Sequence, residues 1–111
     1  MVTYEITADV EADLIEDYER YMREVHIPEL LETGCFRAAA FTRSRPGRYR
    51  VRYEAPDQAD LDRYLAEDAP RLRAEFSSRF PRGIALSREV WATIEEWGHG
   101  AVRARGTPGY I

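Results

Sequence analysis

"CFRAAAFTRSRPGRYRVRYEA", residues 35–55, decides the fold. Its second half, "RYRVRYEA" (48–55), alternates Tyr49, Val51, Tyr53 and Ala55 with Arg48, Arg50, Arg52 and Glu54. Period two of this kind is a half-buried strand, because successive side chains leave opposite faces of the pleat. The first half, "CFRAAAFTR" (35–43), reads as another strand, and "SRPG" between them is a turn signal. Two adjacent strands in the middle of a short chain matter because of what lies on either side.

Upstream, "VTYEITADV" (2–10) turns Val2, Tyr4, Ile6, Ala8 and Val10 one way and Thr3, Glu5, Thr7 and Asp9 the other, a strand again. From Glu11 the period changes. Leu14, Ile15, Tyr18, Tyr21, Met22 and Val25 share one helical stripe, which runs unevenly through Pro28 to Leu31 and stops at Gly34, a C-terminal cap. Downstream, Pro56-Asp57 opens a helical segment over 56–80 with Leu61, Tyr64, Leu65, Leu72, Phe76 and Phe80 as its apolar stripe. "PRG" ends it, and "IALSREVWATIEEW" (84–97) reads as a last strand. The order β-α-β-β-α-β on one small domain predicts a ferredoxin-like α+β sandwich: a four-stranded antiparallel sheet with two helices on one face. The domain is expected over 1–97, followed by a tail over 98–111 that carries four glycines and a proline.

The two helical segments echo each other. "RYMREVHIP" (20–28) is matched by "RYLAEDAP" (63–70), so each half places Arg-Tyr-aliphatic-x-Glu ahead of a proline. A helix interior tolerates proline only with a kink or a break, since the ring removes a hydrogen bond and clashes with the preceding turn. In the second copy Asp68 is placed to cap a restarted segment, and His26 takes the matching place in the first.

Composition narrows the function classes. A chain of 111 residues with a net charge of -4 supports one core and argues against nucleic acid or an anionic membrane as partner. All 16 basic residues are arginine, which excludes Schiff-base lysine chemistry and a P-loop lysine. One cysteine, Cys35, rules out an internal disulfide and suits a reducing compartment. No leader pattern opens the chain and no apolar stretch approaches the ~20 residues of a membrane span. A cytoplasmic protein is expected.

At "HIPELLETGCF" (26–36) the chain resembles a bacterial family of uncharacterised proteins within the dimeric α+β barrel superfamily. The resemblance runs from Thr3 to Val90 and includes "ERYMREVHIPELLETGCF", the Tyr-rich third strand, "RYLAEDAPRLRAEF" and the closing strand with Arg88. Family members usually carry tryptophans at the places of Tyr18 and Tyr21, and a longer loop at "SRPG". The resemblance names no catalytic residue. It implies a homodimer whose sheets pack back to back, with a pocket in each subunit between sheet and helices. Fold analogy alone does not choose a chemistry.

His26 titrates in a range suited to proton transfer near neutral pH, and the plainer reading has it filling space at the helix break before Pro28. Tyr4, Tyr18, Tyr21, Tyr49, Tyr53 and Tyr64 all fall on inward faces. They would either line an amphipathic pocket, with Tyr4, Tyr18, Tyr21, Tyr53 and Tyr64 as the ligand-facing set, or form a tyrosine-rich core. Arginines interleaved with tyrosines on a third strand raise an RNA-binding platform, and parity rejects it. The tyrosines share the side of Val51, so they face the core, the arginines face away, and no nucleic acid is expected. Those arginines should meet Glu5, Asp9, Glu54 and Glu89 on the outer face, with Glu5, Arg50, Arg52 and Glu89 marking the dimer face. No metal-ligand spacing, phosphate loop or nucleophile elbow is present, and no cofactor is expected. Two functions stand at this point. One is a small-molecule binder or cofactor-independent enzyme acting on an oxygenated aromatic or carboxylate compound, with His26 as acid/base and an arginine holding an anionic group. The other is a non-catalytic homodimeric module.

Overall fold

A computed structural model of the protein describes residues 1–98. The tail expected over 98–111 lies, apart from Gly98, outside the described residues. Four strands, β1 (Val2–Val10), β2 (Ala38–Arg45), β3 (Arg48–Ala55) and β4 (Ile84–Ala92), form one antiparallel sheet in the order β2-β3-β1-β4. This is the ferredoxin-like arrangement that the element order predicts. The alternation of β1 and β3 sets the register: Tyr4 lies opposite Tyr53, Ile6 opposite Val51 and Ala8 opposite Tyr49. All the inward tyrosines of the two central strands therefore collect under the helices, where Tyr4, Tyr49 and Tyr53 are buried.

Two strands depart from the expected bounds. β2 begins at Ala38, not Cys35, because the chain joins the sheet only where Arg37 N–H bonds the Glu54 carbonyl at 2.8 Å. Cys35 and Phe36 instead fill the core just after Gly34, whose φ of 78° ends the helical arm. β4 ends at Ala92, not Trp97, because its partner β1 begins at Val2, the residue opposite Ala92.

The first helical arm resolves its proline in an unexpected way. A short 3₁₀ turn (Ala12–Leu14) leads into α1 (Ile15–Tyr21), then a π turn (Met22–His26), then α2 (Ile27–Glu32). The arm neither breaks nor restarts at His26. Ile27 N–H bonds the Met22 carbonyl, five residues back, so the helix is widened just ahead of Pro28. A wider turn relieves the crowding that the proline ring causes against the preceding carbonyl. In the second arm, α3 (Gln58–Glu67) starts where the Asp57 carboxylate accepts from Asp60 N–H at 2.9 Å. It is interrupted at Asp68 before α4 (Ala69–Arg79). Asp68 does not cap α4 through its side chain; the carboxylate accepts from Arg71 at 3.1 Å instead. The matching sequences thus place one proline after a widened turn and the other after an interruption, both at the start of the helix that follows.

Leu30, Leu61, Leu72 and Tyr64 seal the helices onto the sheet, and each fully buried leucine contributes roughly 1.5–3 kcal/mol. The helices cover β2, β3 and β1 but leave the inner side of β4 open, where Leu86 is 36% and Val90 45% exposed. The outer sheet face is charged as expected, with two differences. Arg48 meets Asp9 at 2.7 Å and Arg52 meets Glu5 at 3.0 Å, with Arg50 at 4.0 Å from the same carboxylate. Glu54 instead accepts the Thr3 hydroxyl at 2.7 Å. Glu89 has no cation within bonding distance among the described residues, because the register sets it opposite Glu5.

Candidate functional site

Between the sheet and the helices lies a cavity of about 40 Å³. That volume admits about three water-sized groups. Its floor is Tyr4, Val51 and Tyr53 from the central strands, and its far wall is Leu86 and Arg88 from β4. The first helical arm contributes Tyr18, Met22, His26 and Leu30, and the second contributes Tyr64, Arg73 and Phe76. The π turn supplies both Met22 and His26, and such turns gather at functional sites because they re-aim side chains that a regular helix would carry elsewhere.

Of the tyrosines singled out in the sequence, Tyr4, Tyr18, Tyr53 and Tyr64 reach the cavity wall. Tyr21 does not. It stands behind His26, with ring centroids 5.9 Å apart and planes nearly parallel, and packs edge-on against Phe76 and Phe80. Tyr49 shares the inward face but does not line the cavity, and it donates its hydroxyl to Glu19 at 2.5 Å. That bond, followed by the Arg43 guanidinium, holds the Glu19 carboxyl below its usual range against the opposing effect of burial.

The polar groups of the cavity are unevenly satisfied. Tyr4 accepts from the Arg73 guanidinium at 3.0 Å. Tyr53, only 1% exposed, has a hydroxyl with no hydrogen-bond partner, and His26 Nδ1 has none either. A buried polar atom left unpaired is destabilising by about 1–3 kcal/mol, so each would gain from a donor or acceptor brought from outside the chain. Burial pushes the Tyr18, Tyr53 and Tyr64 phenols well above their ordinary range. They are donors here and not bases. Burial, aided by the positive charge of Arg88, pulls His26 down to about 4, so its imidazole is neutral at pH 7. A third orphan, Glu29 Oε1, lies off the cavity, and burial followed by the nearby Glu75 raises that carboxyl.

Arg73 and Arg88 line the cavity, and neither was singled out from the sequence as a site residue. Arg88 carried a signal: Ile84, Leu86, Arg88 and Val90 share the inner parity of β4, so a guanidinium interrupts an apolar row. Arg73 carried none, since it follows the core residue Leu72 among several helix-surface charges. Among the described residues no three metal-ligating side chains come together, and no helix is long and apolar enough to cross a membrane.

A ferredoxin-like sheet with a lined cavity under its helices defines a class in which the fold is shared and the chemistry is not. Within it, this chain belongs to the family described as a domain of unknown function, DUF4286, which matches residues 1–94. No curated protein matches it. Among solved structures it is similar to a dimeric ferredoxin-like protein from an uncultured marine organism, at 16% identity and TM-score 0.67 over 86% of this chain and 97% of that one. It is similar to a Deinococcus radiodurans protein provisionally named an antibiotic biosynthesis monooxygenase, at 14% identity and TM-score 0.66 over 88% and 97%. It also resembles an ethyl tert-butyl ether (ethd) family protein from Bacillus halodurans, at 12% identity and TM-score 0.64 over 85% and 100%. At these identities the likeness is one of fold.

Proposed function

We propose that the protein binds a small oxygenated molecule in the cavity between its sheet and its helices. The observation that carries this reading is the pair of unpartnered polar groups, Tyr53 OH and His26 Nδ1, on residues that line one cavity. Tyr4, Tyr18, Tyr53 and Tyr64 supply aromatic surface and neutral donors, and Tyr21 fixes the imidazole plane from behind. His26 is the acid/base group: neutral at pH 7, it takes a proton from a bound hydroxyl or activated C–H and returns it. An anionic partner beside it offsets the charge of Arg88 and strengthens it as a base. This describes a cofactor-independent proton-transfer enzyme, or a binder of the same ligand. The names of two structural neighbours, an antibiotic biosynthesis monooxygenase and an ethyl tert-butyl ether family protein, fit a pocket for small organic molecules.

The protomer is further proposed to pair through its outer sheet face, with Glu5, Arg50, Arg52 and Glu89 in the interface. The dimeric marine neighbour supports this, as does the half-exposed Trp91 on that face. The free, buried Cys35 fits a reducing, cytoplasmic setting. One observation favours a non-catalytic homodimeric module instead: the protein's own side chains already fill all but about 40 Å³ of the site.

Native mass spectrometry of freshly purified protein, followed by denaturation, tests the choice. A dimer carrying a stoichiometric small molecule, lost in a folded His26→Ala variant, is the expected result. A bare dimer that also fails to bind any member of a panel of small phenols and carboxylates overturns the binding reading. A monomer overturns the sheet-to-sheet pairing.

A further inference from the structure

We infer that Arg73 and Arg88 form an anion clamp at the mouth of this cavity, and that its ligand is a short carboxylate bearing one uncharged oxygen. The inference rests on the cavity being a binding site and adds what kind of molecule enters it.

Arginine usage in this chain gives the first reason. Nine of its arginines, among them Arg20, Arg43, Arg48 and Arg71, have a carboxylate within 4.0 Å. Arg73 and Arg88 have none among the described residues, in a chain with 20 acidic residues and a net charge of -4. Arg37, Arg45 and Arg82 share that trait, but none of them lines the cavity. Arg73 and Arg88 come from different elements, α4 and β4, and both line the cavity. Arg73 is held in place by its bond to the Tyr4 hydroxyl. Two guanidinium groups without counter-charge, converging on one opening, are what a carboxylate requires.

The second reason is the interior. Beyond the arginines and His26 the walls are aromatic and aliphatic, and the unpaired phenol is that of Tyr53, almost wholly buried on the cavity floor. No further charged group lines the inside, so a second carboxylate reaching past the arginines would be buried there without a counter-charge. Space for about three water-sized groups fits the non-carboxylate end of a three-carbon 2-hydroxy or 2-oxo acid, with the carboxylate left between the exposed arginines.

The test uses lactate and its neutral isostere lactamide as probes, titrated into the full-length protein. Binding is read by calorimetry and by NMR shifts of the Tyr53 and His26 ring signals. Lactate is expected to bind at least tenfold more tightly than lactamide, and Arg73→Gln or Arg88→Gln to weaken lactate about tenfold or more each. Arg88→Lys, which keeps the charge but loses the fork, should recover part of that loss. Arg82→Gln removes the same charge at an exposed position away from the cavity and should leave binding unchanged. Equal binding of lactate and lactamide with shifts at Tyr53 and His26 overturns the clamp while leaving the pocket reading intact. So does lactate binding that is indifferent to both arginine variants. If neither these probes nor a panel of neutral phenols moves the Tyr53 or His26 signals, the pocket reading falls, and the clamp with it.

Discussion

Glu5 lies directly opposite Glu89 across the β1–β4 ladder, and Arg52 stands on its other side at 3.0 Å. The Glu5 side chain is only 12% exposed, so its charge is tied to one flank and opposed on the other. Like charges directly across a ladder destabilise a sheet by a few tenths of a kcal/mol to about 1. Glu89→Arg is expected to raise stability by about 0.5 kcal/mol, read as a higher urea midpoint at unchanged slope. A midpoint that falls would show that Glu89 answers a cation outside the described residues or on a second protomer.

The neutral imidazole makes a pH prediction. Between pH 6.5 and about 4 the unfolded chain binds a proton at His26 that the folded chain does not. Stability therefore falls as pH drops through that window and is unaffected by His26 above it. The difference amounts to something on the order of 3 kcal/mol. Subtracting the pH profile of His26→Gln from that of the native protein isolates this share from the carboxylates that titrate nearby. A flat difference curve would mean the imidazole is solvated.

Pro28 and the π turn are linked through the crowding that the ring imposes on the turn before it. Pro28→Ala restores an N–H that can reach the Glu24 carbonyl and lets the turn tighten. The expected result is a folded protein in which His26 titrates closer to 6.5, followed by NMR of its ring protons. Titration still near 4 would separate the widened turn from the proline.

Tyr49→Phe removes a charge-assisted hydrogen bond to Glu19 and should destabilise by about 1.5–3 kcal/mol. Because that bond is the largest influence lowering the Glu19 carboxyl, the loss is expected above pH 4.5 and should shrink as acid protonates Glu19. A double-mutant cycle with Glu19→Gln measures the coupling. Independent, additive effects would remove Tyr49 from the role of strap between α1 and β3.

Gly47 in the β2–β3 turn has φ of 89°, and a Cβ there would sit 2.8 Å from the Val10 carbonyl oxygen. The Gly47 carbonyl also accepts Val10 N–H at 2.7 Å, so the turn cannot simply move away. Gly47→Ala is expected to lower stability by roughly 1–3 kcal/mol, measured by thermal or urea unfolding. An unchanged midpoint would show that the turn relaxes without strain.

What the sequence disclosed, and what it hid, divides along physical lines. Period-two alternation in β1 and β3 is a local property, and it placed Tyr4, Tyr49 and Tyr53 on the buried side and the arginines outside. The end of β4 was invisible because no local pattern sets it; the pairing of Ala92 with Val2, at the far end of the chain, does. The steric problem at Pro28 was legible, yet its remedy was not, since a kink, a break and a π turn all answer it. Arg73 was hidden for another reason. Its distinction is the lack of a carboxylate partner at a cavity, which exists only once the helices are packed.

The widened turn carries one more consequence. Each residue of a helix advances about 100° around its axis, so a π turn acts as a single-residue insertion that the arm has absorbed. Deleting one codon between Met22 and His26 would remove the extra residue and close the turn to regular α-helical pitch, and the Pro28 ring would again press on the carbonyl of the turn before it. For a lineage built on this scaffold, the extra residue and the proline are then coupled, and a deletion that removes the first is tolerated best where the second is lost as well.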